Sequence, residues 1–253
     1  MTVKLIQGDC LEEMKKLADD GVKVDMVLTD PPYGTTHCRW DSIIPFEDMW
    51  NCINQLVYDN TPIILFGNEP FSSHLRLSNL KKYKYDIIWD KVIRTGFLNA
   101  NRQPLRQYEN IIIFYDKQCY YNPIKWEGEG PSHPHTVKKV RSHNVYNASK
   151  DHMQTLTKWK YPTNIYQCNS LKDECNNAKR VHPTQKPVKL LEYLIKTYSK
   201  EGDIVLDFTM GSGSTGVACL ETNRNFIGIE LDENYYKIAQ ERINETKKQT
   251  KLM

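Results

Sequence analysis

Two consecutive prolines, Pro31 and Pro32, close the apolar run Val24-Asp25-Met26-Val27-Leu28 and limit what can be built around it. Neither carries a backbone N–H, so a central strand cannot pass through them and must end near Thr29. The run is short, partly β-branched and nearly free of polar residues, which predicts a core strand of an α/β sheet rather than an amphipathic helix. Asp30 then falls at the carboxyl end of that strand, the edge where open α/β sheets bind ligands. The Pro31 carbonyl has no helix or ladder partner and is free to accept a hydrogen bond. A carboxylate and a carbonyl together match the two N–H donors of an exocyclic amine, and Tyr33 adds an aromatic face beside them. An ordinary strand-to-turn junction explains Asp30-Pro31-Pro32-Tyr33 equally well when these residues are taken alone.

A second strand, turn and helix start is written in Ile204-Val205-Leu206-Asp207-Phe208-Thr209-Met210-Gly211-Ser212-Gly213-Ser214-Thr215-Gly216. Gly211, Gly213 and Gly216 match the spacing of a dinucleotide fingerprint, with Glu230 closing the next strand where a ribose-binding acid belongs. A nicotinamide dinucleotide is therefore one reading, and a tight turn that needs small residues is another. Electrostatics favours a cation, because Asp207 would face the roughly two negative charges of a pyrophosphate but would welcome an ammonium group. S-adenosylmethionine, with an ammonium and a sulfonium, suits a pocket edged by Asp9, Asp30, Asp207 and Glu230.

At 253 residues with 40% hydrophobic side chains, the chain suffices for one large domain or one domain with an inserted module. The mean hydropathy of −0.62 and the lack of any apolar run near the roughly 18 residues of a bilayer span argue against a membrane protein. Without a signal-peptide-like start, a cytoplasmic location is expected. The seven cysteines are scattered and include no Cys-x-x-Cys pair, so reduced thiols and no metal site are expected. Strand and helix patterns alternate through residues 1–116 and again through 182–253, with a loop over residues 34–45 expected to cover the ligand edge. Residues 117–181 lose that periodicity and interleave Tyr120, Tyr121, Trp126, Tyr146, Trp159, Tyr161 and Tyr166 with basic side chains. This segment has eleven Lys and Arg against five Asp and Glu, a local +6 against −3 for the rest. Such a split points to a basic face for a polyanion on a neutral-to-acidic body, although a solvated surface insertion is also charged.

Together, Asp30-Pro31-Pro32-Tyr33, His182-Pro183-Thr184-Gln185-Lys186-Pro187 and Asp207-Phe208-Thr209-Met210-Gly211-Ser212-Gly213-Ser214 resemble the motifs of the β-class amino-methyltransferases of DNA, in that class's permuted order. The resemblance covers nearly the whole chain outside 117–181. It departs from the family's usual pattern at Phe208, where proline is common, and at Ser214-Thr215, where two threonines are common. It implies a Rossmann-like S-adenosylmethionine-dependent methyltransferase fold, with a mostly parallel central sheet flanked by helices and a circularly permuted motif order. Residues 1–116 would form the catalytic half, 117–181 an inserted target-recognition region and 182–253 the cofactor half.

By position, Asp207, Phe208 and the turn Gly211-Ser212-Gly213 would hold the methionine part of the cofactor, and Glu230 the ribose hydroxyls. Asp9 and Cys10 would lie near the adenine, Thr184 and Lys186 beside the methionine tail, and Asp30 at the border of cofactor and target. His182 reads equally as a contact, a packed side chain or a helix cap. Asp30, Pro31, Pro32 and Tyr33 would grip the target base. Arg39 and Trp40 in the loop, with Lys138, Lys139 and Arg141 in the basic segment, are the expected DNA contacts. The resemblance implies site-specific methylation of the 6-amino group of an adenine flipped out of double-stranded DNA. Adenine rests on Asp30, since cytosine-amino enzymes of the family more often carry serine there. Cytosine 4-amino methylation, RNA methylation and a non-catalytic DNA-binding relative are the competing readings. A homodimer and a cognate restriction endonuclease are partners that the resemblance admits without requiring.

Overall fold

A computed structural model describes residues 1–34, 42–129, 135–139, 152–169 and 185–250, and for 135–139, 152–156 and 250 the backbone alone. Two compact units divide the chain, one formed by Met1–Asn122 with Asn164–Met253 and the other by Pro123–Thr163.

In the first unit the strands are β1 (Val3–Gln7), β2 (Met26–Thr29), β3 (Ile63–Gly67), β4 (Tyr83–Thr95) and β5 (Arg106–Phe114), and later β10 (Ile165–Gln167), β11 (Ile204–Asp207) and β12 (Asn225–Glu230). The second unit holds the short antiparallel pairs β6 (Trp126–Glu127) with β9 (Trp159–Lys160), and β7 (His135–Lys139) with β8 (His152–Leu156). The large sheet runs in the order β1-β12-β11-β2-β3-β5-β4-β10. From β1 to β3 all neighbours are parallel; β5 then runs antiparallel to both β3 and β4, and β10 lies parallel to β4.

Side chains alternate between two cores, one on each face of the sheet. On one face Val27, Ile63, Leu65, Ile112, Phe114 and Leu206 meet helices α1 (Cys10–Asp19), α2 (Phe46–Leu56) and α3 (Phe71–Ser78). On the other, Met26, Leu28, Ile64, Phe66, Ile111, Ile113 and Val205 meet α4 (Val188–Tyr198), α5 (Ser214–Glu221) and α6 (Glu233–Thr250). Burial from both sides explains why the strands read as continuous apolar runs. Prolines mark the starts of two helices, Pro45 before α2 and Pro187 before α4, where a missing N–H costs nothing.

The unit boundary differs from the division at 117 and 181. Cys119 and Cys168 are buried in the α4–α6 core, and β10 completes the sheet at β4, so both margins of the aperiodic segment belong to the first unit. A three-residue edge strand carries too little pattern to be seen in sequence.

Candidate active site

The strands β2 and β11 are neighbours, although about 180 residues separate their ends, and each delivers a carboxylate to the same sheet edge. Connections leave these two strands in opposite directions across the sheet, which makes their junction a topological switch point. Two threonines stitch the junction. The Thr29 hydroxyl donates to Asp207 and accepts from the Phe208 amide at 3.0 Å, while the Thr209 hydroxyl donates to the Asp30 carbonyl at 3.0 Å.

A cavity of about 660 Å³ opens above this junction, within the usual range of small-molecule sites. Asp9, Cys10, Asp30, Pro31, Pro32 and Tyr33 line it from the first half of the chain. Lys186, Asp207, Phe208, Gly211, Ser212 and Glu230 line it from the second. Gly213 stands one step behind as the residue before α5, at φ +79°, where a Cβ would meet Ala239 of α6 at 2.9 Å. A side chain at this position would therefore collide with α6. Thr184, His182, Arg39, Trp40 and Arg141 lie outside the described residues, and Lys138 and Lys139 are in β7 of the second unit.

On the cofactor-motif side, neutral groups fasten the acids. Thr215 donates to Asp207 at 2.6 Å and the Thr209 amide at 3.2 Å, alongside Thr29. Burial pushes the Asp207 carboxyl up to about 6, against the opposing pull of these donors. Glu230 accepts from the amides of Gly211 at 2.8 Å and Asp232 at 2.9 Å, and burial raises it too. Among the described residues no lysine or arginine pairs with either acid. Asp9 caps α1, accepting from Leu11 at 2.9 Å and Glu12 at 3.2 Å. Burial, with Asp9 beside it, pushes the Cys10 thiol up to about 12, so it stays protonated.

The other side is built from ion pairs. Lys186 binds Asp30 and approaches Glu109 at 3.4 Å, Lys91 binds Glu109 at 3.0 Å, and the Tyr33 hydroxyl donates to Asp30 at 2.5 Å. Burial raises the Asp30 carboxyl above its ordinary range, opposed by Lys186 and helped by the like charge of Glu109. For Glu109, burial is outweighed by Lys186 and Lys91, which hold it below the usual carboxylate range. No donor among the described residues reaches the Pro31 carbonyl.

Three placements differ from the sequence expectation. Lys186, expected beside the methionine tail, is paired with the Asp30 and Glu109 carboxylates because its ammonium is buried and needs them. The side chain of Phe208 is fully buried in the α1–α3 core, so only its backbone serves the cavity. Tyr33 offers less open ring than expected, since it packs on Phe71 at 5.0 Å between centroids. Thr29, Glu109 and Lys91 were not foreseen. Glu109 had one signal, a lone acid separated only by Asn110 from the run Ile111-Ile112-Ile113-Phe114, but only the antiparallel direction of β5 brings the start of that strand to the ligand edge.

The two motif-bearing strands, the glycine turn and the acid-lined cavity form one site, and a model of a DNA methylase family matches residues 24–241 of the chain. The chain belongs to this DNA methylase family. Similar family members include the type II methyltransferase M.HpaI of Haemophilus parainfluenzae, 27% identical over 96% of this chain and 75% of its own. The DNA adenine methyltransferase YhdJ of Escherichia coli (strain K12) is 28% identical over 95% of this chain and 82% of its own. Among solved structures, the M1.HpyAVI–SAM complex superposes with a TM-score of 0.64 at 24% identity, covering 96% of this chain and all of that one. PvuII DNA methyltransferase, titled cytosine-N4-specific, also gives 0.64, at 14% identity over 97% of this chain and 91% of its own. These two likenesses speak for a shared DNA methylase fold.

Proposed function

We propose that this DNA methylase transfers a methyl group from S-adenosylmethionine to the exocyclic 6-amino group of an adenine flipped out of double-stranded DNA at a specific site. The observation that carries the reading is the placing of Asp30 and Asp207 on adjacent strand ends, facing one cavity, with the first charge-compensated and the second not. The residues fit the cofactor. Asp207 and Glu230 are buried anions without a cationic partner among the described residues, as an ammonium-bearing, sulfonium-bearing ligand requires. Gly211, at φ +52°, lets backbone come close to it. In this reading Asp207 holds the ammonium, Glu230 the ribose hydroxyls, and Asp9 with Cys10 the adenine end. Bound there, S-adenosylmethionine supplies an electrophilic methyl group.

The chain's own residues prepare the nucleophile. An aromatic amine is a poor one because its lone pair is delocalised into the ring. Asp30 and the Pro31 carbonyl accept its two N–H bonds, which localises the lone pair and fixes its direction. As positive charge develops on the nitrogen, the preorganised Asp30 carboxylate stabilises it and can take the surplus proton on an Oδ atom. A stacked base cannot reach this cavity, so it must leave the duplex. Both bases offer the same two donors, so the choice of adenine over cytosine rests on the resemblance at Asp30, where cytosine-amino enzymes of the family more often carry serine. Residues 117–181 are assigned to sequence recognition on their charge and aromatic content, with Lys138, Lys139 and Arg141 on phosphates. The reading places the enzyme in the cytoplasm with its substrate. It extends to a homodimer, checked by sedimentation, and to a restriction endonuclease of the same specificity, checked by cleavage of unmethylated host DNA.

The test is to incubate the purified chain with methyl-labelled S-adenosylmethionine and unmethylated genomic DNA, digest, and identify the nucleosides by mass spectrometry. N6-methyladenosine is expected. N4-methylcytidine would move the assignment to the other amine, and label in RNA alone would remove DNA as the substrate.

A further inference from the structure

Beside the cavity, β4 and β5 run on as an arm beyond their ladder. The register slips between Asp90 and Thr95, where Val92 takes a left-handed φ of +64° with its amide held by the Asp90 carboxylate at 2.9 Å. A β-branched residue in that conformation is a built bend rather than loose chain, and it re-aims the strand as a bulge does. A 3₁₀ turn at Phe97–Asn99 forms the tip, after Gly96 at φ +90°. There Phe97 is 68% exposed and Leu98 fully exposed, a pairing that the core does not use. Between Lys91 and Tyr108 the sequence has Arg94, Arg102 and Arg106 and no acid, and all three arginines are exposed without an ion-pair partner among the described residues. The base of the arm belongs to the site, since Lys91, Ile93, Thr95 and Arg106 line the cavity.

We infer that this arm is a second DNA-contacting element, distinct from the 117–181 segment: its arginines hold phosphates and its Phe97-Leu98 tip packs against the bases uncovered when the target leaves the stack. The inference rests on the proposed DNA methylation. An apolar tip in water is unfavourable unless something covers it, and the surrounding positive charge selects a polyanion over an ordinary protein surface. DNA is the polyanion that must approach the cavity edge for the amine to enter. Apolar wedges at opened base steps are a known physical means of offsetting the loss of stacking, and arginines on phosphates give the salt-dependent part of the affinity.

Two surface variants separate the roles. Arg94→Gln/Arg102→Gln should lower affinity for a 30-base-pair duplex and flatten its log–log salt dependence by about 1.8, at about 0.9 per phosphate contact, with cofactor affinity unchanged by calorimetry. Phe97→Ala/Leu98→Ala should keep that slope but slow single-turnover methylation of a duplex carrying the site mapped in host DNA by about tenfold. Mispairing the target adenine, which weakens its stacking in advance, should restore the rate. A wild-type chain that methylates DNA while both variants match it in slope and rate overturns the arm and leaves the proposed function standing. A wild-type chain that methylates no DNA overturns both. If the variants instead change the sedimentation coefficient of the free protein, the tip is an interface between copies and the DNA assignment is wrong.

Discussion

Asp207 and Glu230 are fastened by hydroxyls and backbone amides, whereas Asp30 and Glu109, across the same cavity, are fastened by Lys186 and Lys91. Neutral donors fix a carboxylate but leave its charge uncancelled, so the first pair presents two buried negative charges to whatever enters. The second pair is balanced by two lysines and presents hydrogen-bond acceptors with little net field. A cationic ligand belongs on the first side, and a neutral amine that must not be repelled or over-stabilised belongs on the second. The same residue type is thus prepared for two tasks by the choice of its partners.

The most direct attack on this comparison is Asp30→Asn. It keeps size and hydrogen bonding to Lys186 while replacing an anionic acceptor that must stabilise charge developing on nitrogen. Loss of such a preorganised group costs about 10²–10³-fold in rate. Single-turnover methylation should fall by that amount while cofactor affinity, measured by calorimetry, stays within about threefold. A rate within tenfold of wild type would take Asp30 out of the chemistry.

On the other side, Asp207→Asn should weaken cofactor binding about tenfold to a hundredfold, the value of one charge-assisted hydrogen bond of about 1.5–3 kcal/mol. It should also have an opposite effect on the free protein. The Asp207 pKa in the fold, about 6, lies above its ordinary 3.8, so folding favours the protonated form. Its stabilising contribution is complete below about pH 4 and is lost as pH rises through about 6, about 3 kcal/mol in full and roughly half of it between pH 5 and 8. The melting temperature of wild type should therefore fall relative to the asparagine variant over that interval, and cofactor should reverse the order. Parallel pH curves for the two proteins would mean that Asp207 is not held as an uncompensated charge.

Both sides of the cavity were legible in sequence to different depths. Asp30 and Asp207 stand out because prolines and glycines end their strands, and a strand end in an α/β sheet is a place with a meaning before any coordinates exist. The neutral clamps of Asp207 were half visible, since Thr209 and Thr215 are local to it while Thr29 comes from the other end of the chain. The ion-pair network was hidden: Lys91 and Glu109 meet only through the antiparallel pairing of β4 with β5, and Lys186 reaches Asp30 across a separation of 156 residues. The exposed arm was hidden for a related reason, as its direction is set by the bend at Val92, a residue type that does not announce a left-handed backbone. Charge counting favours 117–181 because it sums over whole segments, and the positive charge of the three arginines in the arm is offset there by the acids elsewhere in residues 1–116.

The subtlest test is Glu109→Gln. Glu109 bonds Lys91 and draws on Lys186, and as a like charge it helps burial to hold the Asp30 carboxyl above its ordinary range. Because the amine needs an ionised Asp30 as acceptor, the transfer rate declines as pH falls through the Asp30 pKa. Removing the Glu109 charge lowers that pKa, so the acid limb of the single-turnover rate should move to lower pH. The freed Lys186 should also bind Asp30 more closely and compete with the amine, reducing the plateau several-fold, within the range of a misplaced acid–base partner. Glu109→Asp keeps the charge and should keep the limb. A residue that only props the fold would lower stability and plateau in both variants and leave the limb where it was, and that result would show that the lysine pairs balance charge for folding alone, without tuning the group that meets the base.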